Sequence, residues 1–160
     1  MNPDLESLVR SYARLSRDVG GRINFACDLS NDDALAVAER EKIHLDRAFF
    51  VLSFAALENQ ITTLACVRLA AQERNKTAMR EAKFEKRWDA AVKVAEETLK
   101  ATVPWMSARP VVLSWYKIRS DIAHGRAPSE LADVVPVLYQ ADAIATTLDR
   151  MVGAANSGRA

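Results

Sequence analysis

From Asn31 to Asn75 the chain runs without a glycine or a proline, and within that span lies its most apolar stretch, Phe49 to Ala70. With no glycine or proline to break it, the segment is expected to continue as one unusually long helix to about Asn75. Phe50, Phe54, Leu57, Ile61 and Leu64 step by four, three, four and three, which marks one buried face. Phe49, Leu52 and Ala56 are expected to widen that stripe. A helix apolar over so broad an arc must be covered on several sides, as in a bundle. Asn31, Asp32 and Asp33 offer the side chains that start it.

The remaining segments agree. Leu5, Leu8, Tyr12, Leu15 and Val19 predict an amphipathic helix over Asp4 to Val19, ended by Gly20-Gly21 and followed by a less regular stretch, Arg22 to Asn31. Asn75 to Ala82 is polar and reads as a turn or a helix end. Phe84 to Leu99 reads as a helix with Trp88, Ala91, Val92, Ala95 and Leu99 inward, closed by Thr102-Val103-Pro104. Ser107 to Ala123 is next, with Pro110 in its first turn and Gly125 as its stop. After a linker from Arg126 to Asp133, Val134 to Met151 forms the last helix. Nothing alternates at period two. The expectation is an all-α, up-and-down bundle of about five helices: one domain over residues 1–152 and a flexible tail over 153–160.

Composition narrows the function. Twenty-two basic side chains meet 21 acidic ones, a formal net charge of +1, which argues against a protein that coats nucleic acid without selectivity. Glu58, Asn59 and Gln60 sit in the middle of the apolar stretch, and centring them in hydrocarbon costs several kcal/mol, so no membrane span is expected. Cys27 and Cys66 lack CxxC spacing and read as small buried hydrophobes in a reducing compartment. With no basic and apolar leader at the amino terminus, a cytoplasmic setting is expected.

Two histidines are present. His44 lies among Arg40, Glu41, Lys42, Asp46 and Arg47 on a face expected to be solvated, with no second ligand at helical spacing, so neither a metal nor a cofactor is expected. His124 closes a helix just before Gly125, five residues after Arg119. One reading is a helix-end histidine favoured by the dipole, with Arg119 facing solvent. The other is a shared site. On a straight helix the two side chains point about 140° apart, so convergence needs the helix to end or distort between them. Arg68, Arg74, Lys76, Arg80, Lys83, Lys86 and Arg87, punctuated by Glu73, Glu81 and Glu85, form either a solvated face or an RNA-attracting surface. Trp88, Trp105 and Trp115 read as core.

The segment Tyr116-Lys117-Ile118-Arg119-Ser120-Asp121-Ile122-Ala123-His124-Gly125 resembles the signature of HEPN domains, an Arg followed four to six residues later by a His. Many members carry Asn, Asp or His directly after the Arg, and here Ser120 stands there. Phe50 to Ile61, with Glu58 inside its apolar stripe, is similar to the helix those members carry upstream. The resemblance covers roughly Asp33 to Met151.

It implies a helical homodimer whose two Arg…His segments face one cleft, and a metal-independent endoribonuclease. His124 would act as base or acid, and Arg119 would hold phosphate and stabilise the transition state. Ser120 would donate to phosphate or to His124. Glu58 would orient Arg119 or His124, or be satisfied structurally by another cation. Asp121 is a surface residue or a support for His124, and Arg126 is a candidate RNA contact. Cleavage would leave a 2′,3′-cyclic phosphate. The setting implied is a toxin or phage-defence component, restrained by a partner such as a nucleotidyltransferase-like antitoxin. The alternative is a noncatalytic HEPN-like module for dimerisation or for binding a nucleotide or protein.

Overall fold

One helix of 35 residues, α2 (Asp32–Cys66), is the axis of the computed structural model, which describes residues 3–67, 69, 73–128 and 133–157. At 1.5 Å per residue it is roughly 50 Å long. The Asn31 side chain accepts the Ala34 N–H at 3.0 Å, and Asp32 and Asp33 complement the dipole in the first turn. Phe50, Phe54, Leu57, Ile61 and Leu64 are fully buried, as their spacing predicts. Phe49 joins them, but Leu52 is exposed, because two residues from both Phe50 and Phe54 put it some 200° around the helix.

All the other helices pack on α2. α1 (Pro3–Asp28), α4 (Phe84–Leu99) and α6 (Val134–Ser157) lie along it, with smaller contacts from α3 (Glu73–Glu81) and α5 (Arg109–Ala123). A 3₁₀ turn, Pro104–Ala108, leads into α5. The described residues are thus all-α, with six helices where about five are expected. The addition is α3, a polar segment expected as a turn or a helix end; it lacks helix breakers and lies against α2. The axis helix correspondingly stops at Cys66, short of Asn75. By length and composition alone α2 also suffices to cross a membrane; in the fold its apolar stripe is covered by its neighbours.

The glycine pair does not end α1. The helix passes through Gly20-Gly21 and stops at Asp28, so 22–28 are helical. Its end is a Schellman arrangement: Ser30 takes the left-handed conformation (φ 51°), its N–H donates to the Cys27 carbonyl, and the Asn31 N–H donates to the Ala26 carbonyl, both at 3.0 Å. Packing outweighs propensity here, since Val19 and Ala26 on either side of the glycines are buried. Cys27, one residue off that buried face, is exposed rather than buried; Cys66 is partly covered. His44 is exposed, as expected. At the other end α6 continues to Ser157, taking in 153–157 of the expected tail, while 158–160 lie outside the described residues. So do 129–132 of the expected linker and Arg68.

α1 is tied to α2 by a polar cluster as well as by hydrocarbon. The Tyr12 hydroxyl donates to Asp46 at 2.9 Å, and the Lys42 ammonium reaches both Asp46 oxygens at 2.5 and 2.6 Å. Burial, then the bond to Asp46, push the Tyr12 phenol above its usual 10.0. For Lys42 burial opposes the charge, but the hydrogen bond and charge of Asp46 outweigh it and the ammonium is raised above 10.5.

This packing has two measurable consequences. A Cβ at Gly20 or Gly21 meets nothing within 4 Å, so Gly20→Ala and Gly21→Ala should each stabilise by about 0.5–1 kcal/mol, raising Tm by roughly 2–4 °C per kcal/mol; a fall in Tm for either would contradict the straight-through helix. Tyr12 and Lys42 both hold their protons more tightly when folded. Their contribution is therefore whole below about pH 10 and is lost as pH rises through the raised values. Urea titrations of Tyr12→Phe should show a loss of about 1 kcal/mol at neutral pH and a shallower alkaline decline than the wild type.

Candidate functional site

α2, α4 and α5 meet at three aromatic rings. Phe54 lies 5.3 Å from Phe84 and 6.0 Å from Tyr116 between ring centroids, and Phe84 and Tyr116 stack at 4.9 Å with 5° between planes. Four residues on in α2, and three on in α4 and α5, come Glu58, Arg87 and Arg119. Those offsets are one helical turn on the same face. An aromatic layer is therefore backed by a layer of three charges, and Arg87 lies 5.7 Å from the Phe84 ring centre.

Glu58 organises the charged layer. One carboxylate oxygen accepts from Arg87 Nη2, and the other lies 3.8 Å from Arg119 Nη2. Arg87 also donates through Nη1 to Thr62 Oγ1 at 2.8 Å, and that hydroxyl donates to the Glu58 carbonyl at 2.7 Å. The Arg87 side chain is 11% exposed, Glu58 20% and Arg119 34%. The two arginines are thus held unequally. Arg87 is sunk in the bundle with two acceptors, whereas Arg119 has one distant carboxylate oxygen and a more open side chain. The Nε atoms of both arginines are buried without a hydrogen-bond partner among the described residues, so neither guanidinium has all its donors met.

The end of α5 is built by its backbone. The helix is regular through Ala123, His124 caps it at φ −95° and ψ 14°, and Gly125 takes φ 72°. The Gly125 N–H donates to the Ile122 carbonyl at 3.0 Å and the Arg126 N–H to the Asp121 carbonyl at 2.8 Å, which completes a Schellman motif. Glycine is favoured there because an L side chain adopts that φ only under strain. The arrangement leaves His124 exposed. The helix turns after His124, not between Arg119 and His124, so within one chain the two side chains leave α5 about 140° apart.

The sequence-predicted residues fall into two groups. Glu58 meets Arg119, as one of the two readings of Glu58 requires, while the other reading is met at the same time by Arg87. Asp121 pairs with Arg126, whose Nε and Nη2 lie 2.8 and 2.7 Å from Oδ1, so Asp121 is engaged by Arg126. Neither the Ser120 hydroxyl nor the His124 ring hydrogen-bonds to Arg119 among the described residues. Trp88 and Trp105 are core, packed edge to face at 5.4 Å, and Trp115 is half-buried.

Arg87 and Thr62 are members that residue spacing did not single out. Arg87 sits in a basic run that reads as a solvated face, yet it stands three residues after Phe84 and four before Ala91, inside the buried stripe of α4. A cation in one apolar stripe and an anion in another is the signal that they pair.

That inequality is measurable. Glu58→Gln or Arg87→Met, each leaving a half-buried charge alone, should cost about 2–3 kcal/mol, below the figure for a fully buried pair because both side chains keep some exposure. Arg119→Met should cost less than about 1 kcal/mol. Chemical denaturation of the three variants checks the order; an Arg119 loss equal to that of Arg87 would contradict the loose attachment.

Comparison of the chain with known protein families, with curated proteins and with solved structures returns no match, and its function is therefore argued from its own residues.

Proposed function

We propose that the chain is a metal-independent endoribonuclease, with Arg119 and His124 as its catalytic residues and RNA as its substrate. The observation that carries this reading is the unequal hold on Arg119. It is a permanently charged fork on a half-open surface, with one weak acceptor and donors to spare. About one and a half turns further on stands the exposed imidazole of His124. Such a guanidinium can exchange Glu58 for the two non-bridging oxygens of a phosphodiester while Arg87 keeps Glu58 neutralised.

The reaction needs no external nucleophile. Neutral His124 accepts the 2′-OH proton, the 2′-oxygen forms its bond to phosphorus, and the bond from phosphorus to the 5′-oxygen breaks. The leaving oxygen takes up a proton, from an imidazolium or from water. The products are a 2′,3′-cyclic phosphate and a 5′-hydroxyl end. Arg119 stabilises the extra charge on the phosphoryl oxygens, and Ser120 donates to the same group. Because α5 is straight up to its cap, a homodimer that lays the two α5 ends together supplies the convergence one chain lacks. Arg126, exposed and paired with Asp121, adds positive charge beside that end. A toxin or phage-defence role, with an antitoxin of the nucleotidyltransferase-like kind, is part of the same reading.

The rival is a noncatalytic binding module, and the specific point in its favour is that Arg119 already has a carboxylate beside it. Incubation of the pure protein with mixed RNA in EDTA separates the two. Cleavage should persist in EDTA and leave cyclic phosphate ends; His124→Ala should lower it by at least ~10²-fold and Arg119→Ala by ~10²–10³-fold. Intact RNA with the wild type, at any protein concentration that supports a dimer, sinks the ribonuclease reading in favour of the module.

A further inference from the structure

The last two and a half turns of α2 are apolar on one side only. Leu57, Ile61, Leu64 and Ala65 are buried, while Asn59, Thr62, Thr63 and Cys66 line a groove between α2 and α3. From the α3 side the groove is lined by Lys76 and Arg80. Among the described residues, this lining holds two cations, neutral hydrogen-bonding side chains and no carboxylate, in a chain whose charges otherwise almost cancel.

The groove is continuous with the charged layer through Thr62. That hydroxyl accepts from the Arg87 guanidinium at 2.8 Å inside the bundle, and the same side chain lines the groove outside it. Thr62 stands one turn from Glu58 on α2, so the groove begins beside the charged layer and extends toward Lys76 and Arg80 on α3. Neutral donors and acceptors flanked by cations suit a phosphodiester strand, which offers a charge at each nucleotide and polar sugar and base edges between. An acidic protein surface would be matched by the cations but would leave the run of Asn and Thr side chains without purpose.

We propose that the α2–α3 groove is a binding subsite for single-stranded RNA, holding the nucleotides adjacent to the one that Arg119 engages. Lys76 and Arg80 contact backbone phosphates, and Asn59 and Thr63 hydrogen-bond to sugar or base edges. The identity of the ligand rests on the ribonuclease reading; the groove lined by Lys76 and Arg80 does not.

The test uses the full chain carrying His124→Ala, so that RNA is bound without being cut, and a labelled single-stranded oligoribonucleotide followed by fluorescence anisotropy across a salt series. The double variant Lys76→Ala/Arg80→Ala should bind about tenfold more weakly. Its slope of log affinity against log salt should flatten by about 0.7 for each phosphate that is no longer neutralised. Thr63→Glu, at an exposed position, should weaken binding in the same direction, and Lys93→Ala on the outer face of α4 should leave both quantities unchanged. Thermal melts of each variant should match the parent. Unchanged affinity and slope in the double variant overturn the groove proposal, as does an equal loss in Lys93→Ala.

Cleavage assays on the same substitutions in the His124-intact chain separate the two ideas. If the wild type cuts RNA and Lys76→Ala/Arg80→Ala cuts a long substrate and a dinucleotide with unchanged kcat/KM, the groove falls and the ribonuclease stands. If the wild type never cuts, yet the salt slope flattens in the double variant, the ribonuclease falls and the groove stands. With both correct, the double variant loses its preference for the long substrate and keeps its rate on the dinucleotide.

Discussion

Glu58 puts a negative charge one turn beyond Phe54, on a helix whose neighbouring Leu57 and Ile61 are wholly buried. An ionised carboxylate there is tolerable only if cations come to it. That demand falls mainly on α4, which must lie so that Arg87 reaches one oxygen and Thr62, while α5 brings Arg119 to 3.8 Å from the other. Hydrophobic burial alone would allow α4 and α5 to slide along α2 with modest loss. A charged pair inside the stripe penalises such sliding, because any shift leaves an ion desolvated and alone. The aromatic layer of Phe54, Phe84 and Tyr116 fills the space one turn earlier and fixes the spacing between the helices.

The same constraint divides labour between the arginines. Had Arg119 been the sole partner of Glu58, taking it away to bind a phosphate would strand a carboxylate in the core. With Arg87 bonded to the other oxygen, Glu58 remains compensated when Arg119 leaves. Under the proposed function, one carboxylate would thereby hold a structural ion pair with Arg87 and leave Arg119 free to exchange partners.

Much of this is written in periodicity. The stripe of α2, the inward face of α4 and the stop at Gly125 follow from residue spacing and turn chemistry, because each depends on neighbours within a few residues. The failures share a cause. Gly20-Gly21 has the local character of a stop, but burial of Val19 and Ala26 against the bundle outweighs it, and burial depends on partners far along the chain. The 75–82 segment lacks an apolar stripe, which hides the α3 helix, since propensity and one neighbour suffice for nine residues. Arg87 is hidden by its company: in a run of seven basic residues, only its register with Phe84 and Trp88 distinguishes it from its solvated neighbours.

The relation of Arg119 to His124 is where local and global geometry pull apart. Five residues on a regular helix advance about 7.5 Å and turn about 140° from the starting direction. Because α5 stays regular to Ala123, this holds for the pair: Arg119 faces α2 and His124 faces away. A phosphate bound to Arg119 at the edge of α2 therefore lies on a different side of α5 from its own imidazole. In the proposed homodimer, a two-fold axis near the α5 ends would present the Arg119 of one chain toward the exposed cap of the other. Such isologous contact would make two equivalent composite sites from one surface. A Schellman end serves such an arrangement well. It fixes the cap without spending the His124 side chain on capping, and Arg126 is folded back on Asp121.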